Sequence, residues 1–124
     1  MNFKIDTKET YVIITPDFPE LNEDMAVQLC QKINELIENG SQNFIVSLKN
    51  VNTAVVSSTA PLIELHQYVY NNNYSLVFTD LQESVMQMLK KEQVHLSLNL
   101  TPTFIEAIDI IHMEILERDL LGEL

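Results

Sequence analysis

Three hydroxyl residues, Ser57, Ser58 and Thr59, stand between an apolar run and an amphipathic segment. The apolar run at residues 44–48 is typical of a strand buried on both faces, and the amphipathic segment predicts a helix that begins near Ser58. A helix N-terminus has unpaired backbone N–H groups and the positive end of the helix dipole. A hydroxyl there can therefore cap the helix, bind an anion or carry a phosphate. The residues alone leave these three roles open.

Other residues that could do chemistry do not form a recognisable set. The three histidines fall on three different predicted elements, and no two of them have metal-ligand spacing. Cys30, the single cysteine, lies beside an apolar helical stripe, which favours a packing or surface role. The chain has only two glycines and no glycine-rich phosphate loop. We therefore expect no enzyme activity, no cofactor and no metal.

The charge balance favours a protein partner. Seven Lys and Arg residues against 18 Asp and Glu residues give a formal charge of −11. A surface this acidic is repelled by nucleic acid and by anionic lipid. No apolar run reaches the ~20 residues that cross a bilayer, and the first residues predict a strand rather than a signal peptide. We expect a single domain over residues 1–124, located in the cytoplasm, with no membrane insertion.

Alternating strands and helices predict an α/β fold. Apolar or alternating runs predict strands at residues 3–6, 11–14, 44–48, 75–79 and 94–98. The first two strands read as a hairpin. Pro16 and Pro19 are expected to end the second strand, because proline cannot donate a hydrogen bond to a central ladder. Four helical segments complete the pattern, which predicts a mixed sheet of about five strands flanked by about four helices.

Capping residues predict where these helices begin and end. Asn22 is a good N-cap for the first helix, and Gly40 supplies a left-handed C-cap. Asp80, with Glu83 three residues later, predicts the start of the third helix. Thr101, followed by a proline, predicts the start of the fourth helix.

This order of strands and helices, with a serine pair between the third strand and the second helix, resembles the STAS domain of bacterial anti-sigma factor antagonists. The resemblance spans essentially the whole chain. The family motif is Asp-Ser-Ser-Gly after a hydrophobic residue, and its second serine is phosphorylated. An ungapped match places Val55 at the aspartate, Val56 at the first serine, Ser57 at the phosphoacceptor and Ser58 at the glycine. A match shifted by one residue places Val56 at the aspartate, Ser57 and Ser58 at the two serines and Thr59 at the glycine.

The ungapped match is preferred because it preserves the distance from the loop to the next strand. The resemblance implies a non-enzymatic regulatory module that docks on an anti-sigma factor. That partner is an ATP-using serine kinase of the GHKL type, which phosphorylates the loop at Ser57 or Ser58 and so releases the module. Asp17 lies in a loop expected at the same end of the sheet as the serines. The partner-binding residues implied in this way are Asp17, Ser57, Ser58, Thr59 and Leu62.

Two other functions fit the same resemblance. STAS-like domains also serve as small non-catalytic subunits of ABC-type lipid transporters, which do not need the acceptor motif, and the pair Val55 and Val56 suits that role. A signalling scaffold that is not switched is the other function. In both cases the hydroxyls at residues 57–59 would be helix caps and nothing more.

The carboxyl end keeps an apolar helical pattern for longer than the family needs. Leu116, Leu120 and Leu121 either fold back on the domain or contact a second copy or another protein. The second alternative predicts a homodimer through the C-terminal helix.

Overall fold

The computed structural model describes residues 2–122. The strands are β1 (Asn2–Thr7), β2 (Val12–Asp17), β3 (Glu20–Leu21), β4 (Asn43–Ser47), β5 (Thr53–Ala54), β6 (Ser75–Thr79) and β7 (Leu100–Thr101). The α-helices are α1 (Glu23–Glu38), α2 (Thr59–Asn71), α3 (Glu83–Lys91) and α4 (Phe104–Gly122). Short 3₁₀ turns lie at Val56–Ser58 and Val94–Leu96.

Five strands form one mixed sheet in the order β1-β2-β4-β6-β7. β1 and β2 are the antiparallel hairpin, and the other neighbours are parallel. The short strands β3 and β5 pair separately, in parallel. The predicted mixed sheet of about five strands with four helices is confirmed.

The helices cover the two faces of the sheet unequally. Phe44 and Phe78 belong to a large core cluster with side chains of α1, α2 and α3. The side chains of Ile45 and Val77 belong to a second, smaller cluster with α4. Each parallel crossover moves to the next strand in the same direction, so right-handed crossovers place the first three helices on one face. Only α4 packs on the other face within residues 2–122.

The predicted ends of α1 are confirmed. The side chain of Asn22 accepts a hydrogen bond of 2.9 Å from the Met25 N–H, which caps the helix. Gly40 has a φ of 101°, and the N–H of Ser41 donates to the Leu36 carbonyl at 3.0 Å. This is the left-handed ending that glycine permits without a steric cost.

Pro16 does not end β2, contrary to the prediction. The strand continues to Asp17, and Pro16 is paired with Phe3 of β1. β4 pairs with β2 only along residues 12–14, so Pro16 has no neighbour on the β4 side to which an N–H would have to donate. A third short strand then replaces the loop that the two prolines suggested.

The predicted cap at Asp80 is wrong. Asp80 has a φ of 59°, and α3 begins at Glu83 after Gln82. The Asp80 carboxylate instead accepts a hydrogen bond of 2.8 Å from the Ser47 hydroxyl at the end of β4. The Asp80 carboxylate is therefore hydrogen-bonded to the end of a neighbouring strand, and it does not cap the helix that follows.

The predicted strand at residues 94–98 is also wrong. Val94 and Leu98 are buried, whereas Leu96 is exposed, so the buried positions are four residues apart rather than two. This spacing does not fit a strand, and residues 94–96 form a 3₁₀ turn after a left-handed Gln93. The edge strand is instead β7.

The start of α4 is displaced from the predicted position. Thr101 lies in β7, where its hydroxyl donates to the Thr103 carbonyl at 2.9 Å. Thr103 provides the cap, because its hydroxyl accepts a hydrogen bond of 3.3 Å from the Glu106 N–H.

No helix within residues 2–122 is both long and apolar enough to pass through a bilayer.

Candidate partner-binding site at the serine loop

Residues 55–59, here called the serine loop, connect β5 to α2. The 3₁₀ turn Val56–Ser58 occupies the middle of this loop, and α2 begins at Thr59. The loop lies at the carboxyl end of the parallel strands, where loops of an α/β sheet usually carry binding residues. The predicted position of the helix start near Ser58 is confirmed.

A backbone pairing positions the serine loop from the amino-terminal side. The Pro19 carbonyl accepts hydrogen bonds from the N–H groups of Asn52 at 2.7 Å and Thr53 at 3.2 Å. The Val55 N–H donates to the Leu21 carbonyl at 2.9 Å. The segment that follows β2 therefore holds the start of the serine loop.

The loop before β5 is also bound to the start of α3. The Gln82 side chain donates to the Lys49 carbonyl at 3.0 Å and to the Asn52 side chain at 3.2 Å. The Ser84 hydroxyl donates to the Asn52 carbonyl. These contacts link the loops that follow the neighbouring strands β4 and β6. They fix the backbone of residues 49–52, which precede β5 and the serine loop.

The hydroxyls of the loop have different environments. Ser58 is 0% exposed, and its hydroxyl donates to the Val55 carbonyl at 2.8 Å. The Thr59 hydroxyl donates to the Val56 carbonyl at 2.8 Å. Ser58 stands at the N-cap position of α2 but makes no side-chain capping bond, so the capping role is wrong for Ser58. Ser57, in contrast, is exposed.

Two exposed valines precede these hydroxyls. Val55 is 37% exposed and Val56 is 55% exposed, although both are β-branched apolar residues. Leu62 is 1% exposed and belongs to the main core cluster. Its side chain therefore anchors the first turn of α2 in the core and does not form part of the exposed surface. The sequence did contain the signal for the valine surface, since two adjacent valines in a short loop have no strand partner to cover them.

Asp17 is exposed at the end of β2 and is paired with Asn2 of β1. The segment that it begins does reach the start of the serine loop. The contacts are made by Pro19 and Leu21, however, and neither residue was predicted to contact the loop. The pairing runs through backbone groups, which leave no signature in the side-chain pattern.

Cys30 of α1 lies behind the serine loop. Its thiol donates to the Pro61 carbonyl at 3.6 Å. Burial, with a smaller contribution from the negative charge of Glu64, raises the pKa of the Cys30 thiol to about 11. The thiol is therefore protonated at neutral pH, which does not favour nucleophilic or redox chemistry.

A polar cluster fixes the far end of α2. The Tyr70 hydroxyl donates to Glu114 at 2.8 Å and accepts from the Asn99 side chain at 2.6 Å and the Leu76 N–H at 3.3 Å. Burial raises the pKa of Tyr70 well above its ordinary value. The ring of His66 lies 4.5 Å from the Tyr70 ring, and burial lowers the pKa of His66. These residues join α2 to α4 and have a structural role.

A cavity of about 420 Å³ lies between the β1–β2 turn and the residues that connect α1 to β4. It opens at the amino-terminal edge of the parallel strands, opposite the edge that carries the serine loop.

Within residues 2–122, no three His, Cys, Asp or Glu side chains come together in a way that could hold a metal ion.

Solved structures are similar to this chain, although no protein-family model and no curated protein matches its sequence. A Thermotoga maritima protein assigned as an anti-sigma factor antagonist is 17% identical, with a TM-score of 0.77 over 89% of this chain and 94% of that one. The anti-sigma factor antagonist SpoIIAA in its unphosphorylated form is 16% identical, with a TM-score of 0.69 over 90% of this chain and 96% of that one. SpoIIAA of Bacillus in its phosphorylated form is 14% identical, with a TM-score of 0.60 over 89% and 99%.

A similar domain also occurs inside a much longer protein. The murine anion transporter Slc26a9 is 13% identical, with a TM-score of 0.68 over 84% of this chain but only 18% of the transporter chain. Sequence identities this low show the fold and leave the function to be argued from the site. Together, the sheet order, the single helix on one face and these structural matches show that the chain has the fold of the STAS domain of anti-sigma factor antagonists.

Proposed function

We propose that this chain is a non-enzymatic regulatory module that binds a protein partner through the serine loop, as an anti-sigma factor antagonist does. The exposed pair Val55 and Val56, next to the exposed Ser57, carries the proposal. Exposed apolar residues at the tip of a loop held by backbone pairing offer desolvation energy to a partner at little cost in conformational entropy.

Ser57 is the proposed phosphorylation site. A kinase must reach the hydroxyl oxygen, and Ser57 is exposed while Ser58 is buried and hydrogen-bonded to Val55. The ungapped match also places Ser57 at the phosphoacceptor. The fold is known in both phosphorylated and unphosphorylated SpoIIAA, which supports a switch of this kind.

A phosphate on Ser57 would change binding through charge. It adds about −1.5 to −2 charges immediately before α2, where the unpaired N–H groups of the helix tolerate an anion. An apolar contact over Val55 and Val56 would then have to bury that charge, which opposes docking. The proposed partner is an anti-sigma factor serine kinase of the GHKL type, and the proposed location is the cytoplasm.

Co-purification with phosphate mapping tests this proposal. The tagged chain is isolated from its native host with phosphatases blocked, the bound proteins are identified, and peptides spanning residues 50–67 are analysed by mass spectrometry. We expect a serine kinase and a phosphate on Ser57. Val56→Asp should abolish the interaction, whereas Val27→Asp, at a comparably exposed valine on α1, should not. Recovery of the same kinase with Val56→Asp would contradict the proposed surface.

A transporter subunit is the second candidate function. The similarity to a short part of Slc26a9 shows that the fold also occurs within a transporter. The exposed Val55 and Val56, beside a Ser57 that is never phosphorylated, would suit a partner that stays bound. In this case the same purification should recover an ABC-type ATPase, and Ser57→Ala should leave its recovery unchanged. Absence of phosphate together with recovery of an ATPase would replace the first candidate by the second.

A further inference from the structure

The outward side of α4 carries large apolar side chains that no other part of residues 2–122 covers. Ile105, Met113, Leu116 and Leu120 are 72%, 60%, 58% and 54% exposed. At about 100° of rotation per residue, these four side chains lie within about 80° of one another around the helix. We call them the outer stripe. It is about 22 Å long, since it spans 15 residue steps of about 1.5 Å each.

The opposite side of α4 is fixed to the domain. Arg118 donates to the Ser75 hydroxyl at 2.7 Å and to the Asn43 side chain at 2.6 Å. Glu114 accepts the hydrogen bond from Tyr70. Arg118 and Glu114 lie roughly opposite the outer stripe around the helix axis. The helix cannot rotate to bury the stripe without breaking these bonds. Leu121 is also exposed, at 68%, so the expectation that Leu116, Leu120 and Leu121 fold back on the domain is wrong.

Carboxylates border the outer stripe on both sides. Glu106 and Glu117 lie along one side, Asp119 lies along the other, and Asp109 lies within the stripe. All four residues are exposed. The two ion pairs found within residues 2–122 involve other carboxylates, and Arg118 is turned inward. The surface is therefore an apolar strip with uncompensated negative borders.

We propose that the outer stripe binds an amphipathic helix of a partner protein whose apolar face is bordered by Lys and Arg. The apolar faces would pack together, and the basic borders would neutralise the carboxylates of α4. A second copy of this chain is a poorer occupant, because it would bring two sets of acidic borders together in a chain of formal charge −11. The serine loop lies at the start of α2 on the other face of the sheet, so this is a second and separate interface.

A synthetic peptide of defined composition tests the proposal. The probe is a dye-labelled helix of about 18 residues of Leu and Lys, with leucines at positions i, i+3, i+4 and i+7 of each repeat. Titration of the full chain into this probe is followed by fluorescence anisotropy. We expect binding that weakens about tenfold or more in Leu116→Ser/Leu120→Ser, and also weakens in Glu117→Gln/Asp119→Asn. The control Val27→Ser, at a valine of α1 that is 40% exposed on the other face of the sheet, should bind like the parent chain.

Three results would overturn the proposal. A scrambled peptide of the same composition that binds as tightly would show that charge alone is responsible. Unchanged binding by Leu116→Ser/Leu120→Ser would remove the outer stripe from the interaction. A dimer mass in multi-angle light scattering that becomes a monomer mass in the same variant would assign the stripe to a second copy. Urea unfolding of each variant verifies that it is folded, which is expected because the substituted side chains are exposed.

Discussion

Glutamate substitutions at Ser57 and Ser58 provide a direct test of the serine loop. Ser58 is 0% exposed, and its hydroxyl is bound to the Val55 carbonyl, so Ser58→Glu must bury a carboxylate or break the turn. An uncompensated buried charge costs about 3–5 kcal/mol of unfolding free energy. At the exposed Ser57, a glutamate sits beside the start of a helix, where the dipole favours it, and we expect a change within about 0.5 kcal/mol.

Alanine substitutions separate the charge from the hydrogen bond. Ser58→Ala removes one hydrogen bond, but the Val55 carbonyl still accepts the Ser58 N–H at 3.1 Å. We therefore expect a loss of only about 0.5–1.5 kcal/mol. Ser57→Ala should have no measurable effect on stability. All four variants are compared with the parent chain by urea unfolding followed by circular dichroism, with the slope of each transition verified as unchanged.

The difference in unfolding free energy between Ser57→Glu and Ser58→Glu decides between the two serines. If Ser58→Glu is as stable as the parent to within about 1 kcal/mol, Ser58 is not a buried donor and the argument for Ser57 as the accessible hydroxyl fails. If Ser57→Glu is destabilised as strongly as Ser58→Glu, the proposed phosphate on Ser57 would unfold the loop rather than switch it.

Tyr70→Phe should lower the unfolding free energy by about 2 kcal/mol, because the partly buried bonds to Glu114 and Asn99 lose their common partner, while Tyr68→Phe at an exposed tyrosine should not. Equal effects in urea unfolding would contradict this. With its pKa raised to about 11, the Cys30 thiol should react with a disulfide reagent at pH 8 about 100-fold more slowly than free cysteine, and a rate like that of free cysteine would refute its burial. Because burial lowers the pKa of His66 in the folded chain, the unfolded chain takes up a proton first as the pH falls below about 6.5. Stability should therefore fall with pH between that value and the folded pKa, and His66→Gln should flatten this part of the pH profile.

Local chemistry made the first helix predictable. Asn22 and Gly40 act on backbone groups within a few residues of themselves, so their effect does not depend on the rest of the fold. The central strands were predictable for a similar reason, since every residue of β4 and β6 is buried and the apolar run is continuous.

Two of the errors arose where tertiary contacts overrode a local sequence pattern. Asp80 has the sequence signature of a cap, but Ser47, which is 33 residues away in the chain, donates a hydrogen bond to it from the end of the neighbouring strand β4. Alternation at residues 94–98 resembled a strand, yet the core beneath α3 takes Val94 and Leu98 and leaves Leu96 exposed. Tertiary contacts decided both segments against the local sequence preference: a side-chain hydrogen bond at Asp80, and burial in the core at Val94 and Leu98.

The sequence by itself determined the first helix, the buried strands β4 and β6, the start of α2 and the position of the hydroxyl residues, because apolar periodicity and local capping act over one or two helical turns. Only the tertiary structure decided that Ser57 faces solvent while Ser58 is buried. These are adjacent residues of the same type, and the difference comes from the 3₁₀ turn and from the pairing of Val55 with Leu21. The exposure of the outer stripe was also a tertiary result. The bonds from Arg118 to Ser75 and Asn43 fix the rotation of α4, and no local pattern can specify a partner 43 or 75 residues away.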